Sequence, residues 1–324
     1  MASWLEHRSA DVDDQAAALA GWQQHYEQLG RGSFRGAACQ LLMSDGVLLR
    51  EQTNRQLREQ IRPPRDHLVI AVPLAVEPGS VFAGRPLERE SVVVLDGDHD
   101  YELVSAGELD LVGLAVHRRF VEQLSPAEAD WLQGAQRQQL LPLAPDAASA
   151  IRQMLLVLVG DGASQCDQLA DPRQESALLA STLAQTVLLA MLGAAGSSGD
   201  PAQAIPRRTE SRQRVVRRAI DFMRAHLHEP IGVPDICAAA CASRRSLQYC
   251  FEEFMHTTPQ AYLRALRLNE ARRVLKSHAN PAITALAGEF GFSSPSHFTR
   301  HYRLMFDEVP SETLRLHGEA IRQP

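Results

Sequence analysis

The chain has little of several things, and each shortage removes a class of protein. Its five cysteines, Cys39, Cys166, Cys237, Cys241 and Cys250, are an odd number with no C-x-x-C pair among them. A disulfide framework and a multi-cysteine zinc site are therefore not expected. Long hydrophobic runs are also missing. The most apolar stretch, Leu178 to Leu192, is interrupted by Ser181, Thr182, Gln185 and Thr186, too short and too polar for a membrane span. The first residues, Met1 to Arg8, lack the basic start and apolar run of a signal peptide, so a cytoplasmic location is expected. There is no G-x-S-x-G, Walker or dinucleotide motif. Histidines are scattered: His7, His25, His67, His99 and His117 form no H-x-H pair, whereas a divalent metal wants three or four ligands converging at about 2 Å. His226 and His228 do form such a pair, but on a helix they would point to different faces. No enzyme activity, metal or cofactor is expected.

What the chain does have is one pattern written twice between Pro230 and Leu316. The first copy runs from Ile231 to Ala240, turns at Cys241-Ala242, and restarts at Ser243 through Met255. Gly232 and Ser243 are acceptable helix N-caps, the serine because its hydroxyl accepts from an orphan amide of the first turn. Leu247, Phe251 and Phe254 follow at spacings of four and three, an inward face. Arg244, Arg245, Gln248 and Tyr249 are left pointing outward. Thr258-Pro259 opens a longer helix, with proline in the first turn where its missing N–H costs nothing. Its apolar stripe through Tyr262, Leu263, Leu266, Val274 and Leu275 is expected to end at Asn280-Pro281. The second copy runs from Ile283 to Phe290, turns at Gly291-Phe292-Ser293, and restarts at Ser294-Pro295. Here Phe298, Tyr302 and Met305 or Phe306 face inward, and Ser296, His297, Thr299 and Arg300 outward. Two helix-turn-helix units on one spacer suit a protein that lays two probes into double-stranded DNA.

These residues closely resemble the AraC/XylS family of transcription regulators. The stretches Ser243 to Gln248, Tyr262 to Arg272 and Gly291 to Arg300 are similar to that family's signature read in order, covering roughly the last hundred residues. The resemblance implies about seven helices, with two recognition helices entering successive major grooves. It places base contacts at Arg245, Gln248, Tyr249, Ser296, His297, Thr299 and Arg300, and Ser243, Arg244 and Ser294 complete the expected DNA-binding set. The sequence departs from the family pattern at Cys241 and Asp307, where glycine is usual, and at Thr313, where an aromatic is usual. Both former positions call for a left-handed backbone, which costs a residue with a β-carbon about 1 kcal/mol. Arg267 and Arg272 on the spacer are expected to salt-bridge to Glu270 or other carboxylates or, if they reach DNA, to touch phosphate. Cys237 and Cys241 are expected as small buried side chains, and the alkyl-transfer repair proteins linked to this family are excluded by the missing cysteine cluster.

Charge divides the chain in the same place. From Arg207 onward there are 18 Lys/Arg against 12 Asp/Glu, leaving 15 basic and 27 acidic residues before it. A basic module sits behind an acidic partner, which the overall charge of −6 conceals.

The preceding part alternates differently. Phe34 to Met43 and Val47 to Thr53 flank Ser44-Asp45-Gly46, a hairpin turn. Leu68 to Val72, Ser91 to Leu95, Tyr101 to Ser105 and Leu109 to Val116 follow, separated by Pro73, Gly79, Asp96-Gly97-Asp98 and Gly107. Several short strands with regular turns suggest a small barrel or sandwich, similar to the cupin-like sensor of AraC-type regulators. Trp22, Tyr26 and Phe34 are candidates for a cavity lining and equally for core. A helix beginning near Pro172 and taking in Leu178 to Leu192, with a partner around Ala147 to Leu158, would pack as an all-α layer; by family analogy these carry dimer contacts, the alternative being that both simply pack on their own domain. Gly193 to Pro201 has linker composition.

The expectation is an α+β chain: residues 1–192 a cupin-like β-barrel with packed helices for ligand sensing and dimerisation, 193–206 a linker, and 207–324 an all-α DNA-binding domain with two helix-turn-helix units. The partners expected are DNA, RNA polymerase, a small-molecule effector and a second copy of the chain, with no membrane. An N-terminal domain that receives a protein, or a barrel with unrecognised catalysis, are the alternatives.

Overall fold

The computed structural model describes residues 3–43, 46–121, 124–159, 207–277 and 281–320, with 186, 189, 190 and 193 as isolated positions. Cys166, the turn residues Ser44 and Asp45, the expected stop at Asn280, and most of the expected helix 178–192 and linker 193–206 lie outside the described residues. The chain forms two compact units. The first is residues 1–26, 35–54 and 59–204; the second is residues 205–324 together with Glu27–Phe34 and Arg55–Arg58.

The N-terminal part is antiparallel sheet. Seven strands, β1 (Ser3–Ser9), β3 (Gly36–Leu42), β4 (Gly46–Thr53), β11 (Leu109–His117), β6 (His67–Val76), β9 (Ser91–Asp96) and β12 (Leu140–Pro142), hydrogen-bond in that order. Each neighbouring pair among them is antiparallel. Five further strands form a second sheet, in the order β2 (Gln23–Gln28), β5 (Leu57–Arg62), β10 (Tyr101–Val104), β7 (Val81–Phe82) and β8 (Arg85–Pro86). The short helix α1 (Val12–Ala16) follows β1, capped by the Asp11 carboxylate.

Strand β6 explains why this part is legible in patches only. Successive side chains point to opposite faces, and both faces of β6 are buried. Leu68, Ile70 and Val72 join Leu48, Val112 and Leu114 on one face, packed against Leu132 of α3 (Pro126–Gln138) and Ile151 and Leu155 of α4 (Pro145–Val159). Val69 and Ala71 join Leu49, Ile61, Val93, Tyr101 and Leu103 on the other. A strand covered on both sides reads as a continuous apolar run. Helix α2 (Arg118–Val121) links β11 to α3, which opens on a reciprocal capping box between Ser125 and Glu128.

Two expectations need correction. Pro73 does not end its strand: β6 runs on to Val76, because Pro73 lies beyond the β6–β9 pairing and opposite the register shift at Asp110/Leu111. A bulge tolerates the missing N–H. Strands β1, β2 and β5 were not expected at all. Of the aromatics singled out, Tyr26 and Phe34 are buried, and Trp22 is partly buried against the Leu49 and Tyr101 cluster.

The second unit contains α5 (Arg207–Ala225), α6 (Val233–Ala240), α7 (Arg244–Met255), α8 (Pro259–Lys276), α9 (Ile283–Glu289), α10 (Pro295–Phe306) and α11 (Pro310–Ala320). Ala265, Leu268, Ala271 and Leu275 of α8 pack against Leu286, Phe290, Phe298, Tyr302 and Phe306, with Leu29 at the margin. Residues Glu27 and Gln28 are polar yet buried in it. Glu27 accepts from Arg58, Arg224 and the Tyr262 hydroxyl. His226 and His228 lie just past the end of α5 rather than on a helix, the first ring bonded to the Phe222 carbonyl and the second 3.5 Å from Glu289.

Candidate DNA interface

Two helix pairs, α6–α7 and α9–α10, are held by α8. Each second helix starts on a serine cap. Ser243 Oγ accepts from Ser246 N at 3.1 Å and Ser294 Oγ from His297 N at 3.1 Å. Thr258 does the same for α8, accepting from Ala261 N at 3.1 Å. Pro259 and Pro295 occupy the first turns, where no amide is lost. These caps are local chemistry, and all stand where the residues require them.

The turns between paired helices differ. After α6, Cys241 takes the left-handed conformation itself, φ 52° and ψ 45°, and Ala242 N returns to Cys237 O at 3.0 Å. After α9, Gly291 supplies φ 69°. A β-carbon there would sit 2.9 Å from the Arg267 guanidinium, so glycine also makes room for that side chain. Arg267 spans to the carbonyls of Leu227 and Glu229, at 3.1 and 2.6 Å. It does not pair with Glu270, which belongs to Arg273 at 2.5 Å. Arg272 bonds Glu308 and lies over the Phe306 ring. Both spacer arginines are thus structural. Cys241, in the left-handed cap, is exposed and Cys237 only partly buried; Cys250 is the buried one.

Inward faces follow the spacing. Leu247, Cys250, Phe251 and Phe254 of α7 and Phe298, Tyr302, Met305 and Phe306 of α10 are buried. The Tyr302 hydroxyl meets Thr313 Oγ1 at 2.7 Å, and burial first of all pushes its pKa up to about 12. Thr313 therefore serves as a polar partner where an aromatic was usual.

Outward faces hold the residues expected to read DNA. Ser243, Arg244, Arg245 and Tyr249 are exposed, Gln248 half-buried. On α10, Ser296, His297 and Arg300 are exposed, with Ser294 and Thr299 half-buried. Arg244, Arg245 and Arg300 make no hydrogen bond or ion pair among the described residues. Gln248 Nε2 donates to Glu252 at 2.6 Å. Tyr249 is 54% exposed, and its hydroxyl accepts from Arg212 at 3.2 Å. Arg212 also pairs with Glu253 at 3.0 Å. This α5 arginine was not singled out in the sequence, because nothing local to it marks a partner 37 residues away. His297 and His301 share a 2.8 Å contact between their Nε2 atoms. The His301 pKa is lowered to about 4, by burial first and then by the charge of Arg264.

Residues 236–316 match a family model described as a helix-turn-helix domain. The chain is similar to the HTH-type transcriptional regulator ArgR of Pseudomonas aeruginosa, 34% identical over 116 residues, 35% of either chain. It is similar to the XylDLEGF operon transcriptional activator 3 of Pseudomonas putida, 35% identical over 100 residues, 30% of either chain. The match thus spans about a third of the length of these relatives. A solved AraC-type DNA-binding domain protein from Chromobacterium violaceum is 33% identical, covering 35% of this chain and 96% of that one, at a TM-score of 0.32. Over residues 236–316 the chain therefore carries a helix-turn-helix domain similar to those of AraC/XylS-type transcriptional regulators.

Proposed function

We propose that this protein is a sequence-specific regulator of transcription, acting as an activator, in which α6–α7 and α9–α10 are two helix-turn-helix units. Helices α7 and α10 enter successive major grooves. The observation that carries this reading is the repeated arrangement itself: a serine-capped second helix, buried on one face and bearing Arg245 or Arg300 on the other with no protein partner among the described residues. An exposed guanidinium with no protein partner among the described residues is suited to a guanine edge, and Gln248 to adenine. The spacer α8 has 18 residues, or about 27 Å at 1.5 Å per residue, on the scale of one DNA turn.

The division of labour follows the sequence. Residues 207–324 bind DNA, 193–206 link, and 1–192 form a cupin-like barrel that senses a small-molecule effector and supplies homodimer contacts. RNA polymerase is the partner at the promoter, and the protein works in the cytoplasm, without enzymatic activity. An effector controls such a protein only if it binds the active and resting states with different affinity.

Sequencing of genomic fragments retained by the purified chain tests the reading. Two or more repeated half-sites, each covering two adjacent major grooves, are expected. Retention of unrelated sequences, or half-sites confined to one groove, would overturn it.

A further inference from the structure

Inside the first unit, the face of β4 that carries Leu49 changes character two residues on. There Glu51 is buried, bonded by Gln15 Nε2 and the Tyr26 hydroxyl, each at 2.8 Å to the same oxygen. Strand β5 does the same: Ile61 joins the apolar cluster, and two residues before it Glu59 is only 1% exposed. Its Oε1 has no hydrogen-bond partner. Neither carboxylate has a cationic partner among the described residues. Each alternation by two keeps a side chain on one face, so Gln24 shares a face with Tyr26 and Thr53 with Glu51. Gln24 Oε1 and Thr53 Oγ1 are likewise buried without partners.

The Gln24 and Glu59 oxygens among these can accept, and neither finds a donor. A buried carboxyl oxygen left unsatisfied is costly, and two buried carboxylates whose charges repel resist being ionised together without a cation. Burial pushes both groups up, Glu59 well above the ordinary carboxylate range with the Glu51 charge adding to it. Arg58, the nearest arginine in sequence, is spent on Glu27. The adjoining residues on the same strand faces, Leu49 and Ile61, belong to an apolar cluster with Tyr101 and Leu103.

We propose that Glu51 and Glu59 form the binding site for an organic cation, a primary ammonium or guanidinium group on a small apolar body. The inference rests on the reading of residues 1–192 as the effector-binding part and names the chemical class of that effector. The charged head would donate to Glu59 Oε1 and the free lone pairs of Glu51, and the body would lie against Leu49 and Ile61. The ionisable groups turned toward Glu59 are Glu51 of β4 and Tyr26 of β2. Burial holds the Glu59 pKa up and a bound cation would draw it down, so binding lowers its proton occupancy and releases protons to the solvent wherever the group titrates.

The full chain is titrated calorimetrically with phenethylammonium, hexylammonium and agmatine, each beside phenethyl alcohol, hexanol or hexanoate as neutral and anionic counterparts. Runs in phosphate and in Tris reveal proton exchange, and thermal unfolding gives a second readout. At least one cation is expected to bind and raise the melting temperature, with heats that differ between buffers as proton release requires. Glu59→Gln and Glu51→Gln, each checked for native far-UV dichroism, should weaken it at least about tenfold and remove the buffer dependence. A neutral or anionic compound binding where no cation does would overturn the cation assignment and leave the effector reading standing. No binding by any of the three classes would overturn both. Equal cation affinity in the wild type and in a folded Gln variant would overturn the site.

Discussion

Asn269, buried in the middle of α8, pairs with Gln28 as one strand pairs with another: its Nδ2 donates to Gln28 O at 2.9 Å and its Oδ1 accepts from Gln28 N at 3.1 Å. Gln28 in turn donates from Nε2 to the carbonyls of Gly30, Gly32 and Met305, at 2.8, 2.7 and 2.8 Å. A segment from the start of the chain is therefore part of the C-terminal unit's hydrogen-bonding. Asn269→Leu would strand two buried backbone groups and is expected to cost about 2–6 kcal/mol, since each unsatisfied group costs roughly 1–3. Urea unfolding followed through the C-terminal unit measures it. A loss below half a unit on that scale would mean that the pair is not formed in solution. A fragment beginning at Arg207 lacks Gln28 and Leu29, so it should fold less stably than the same residues in the whole chain.

The two turn residues with left-handed backbone should respond oppositely to exchange. Cys241→Gly relieves φ 52° at an exposed position and is expected to stabilise by up to about 1 kcal/mol. Gly291→Ala adds a β-carbon at φ 69° and forces it against Arg267, and is expected to destabilise by about 1–2 kcal/mol. Melting temperatures of the two variants decide the matter. Shifts of the same sign would contradict it.

Stability of the C-terminal unit should fall in mild acid through His301. Its folded pKa, about 4, lies below the ordinary histidine value, so the unfolded chain binds more protons between the two. The contribution is complete above about pH 6.5 and is lost as the pH drops toward the folded value. The causes are burial first, then the charge of Arg264, His297 and Arg300, with Arg31 the smallest. His301→Gln should flatten the dependence of melting temperature on pH in this window. An unchanged slope would assign it to other groups.

What the sequence showed most clearly was whatever is decided within one turn of chain. Ser243, Thr258 and Ser294 cap because a hydroxyl reaches an amide three residues on. Cys241 and Asp307 take left-handed backbone where the helix must stop. Two of the strands that went unseen are polar: β2 reads QQHYEQ and β5 reads LREQIR. Buried glutamate and glutamine carry no local signal, because their partners, such as Glu51 for Gln15 or Asn269 for Gln28, lie 36 and 241 residues away. The same reason hid Arg212 beside Tyr249. Arg267 was misread for a related cause: a carboxylate three residues away looked sufficient, and the carbonyls of Leu227 and Glu229 were invisible.

Reading of bases by both second helices is tested most directly by binding the full chain, Arg245→Ala, Gln248→Ala and Arg300→Ala to a library of single-base variants of its site, at two salt concentrations. The wild type should show two clusters of specified base pairs about one helical turn, roughly 10 base pairs, apart. Arg245→Ala and Gln248→Ala should each relax one position in one cluster, and Arg300→Ala one in the other, at a cost of about 1–3 kcal/mol each. Salt dependence should remain largely that of the phosphate contacts. Uniform weakening across all variants, with base preference unchanged, would contradict the assignment of α7 and α10 as the elements that read sequence.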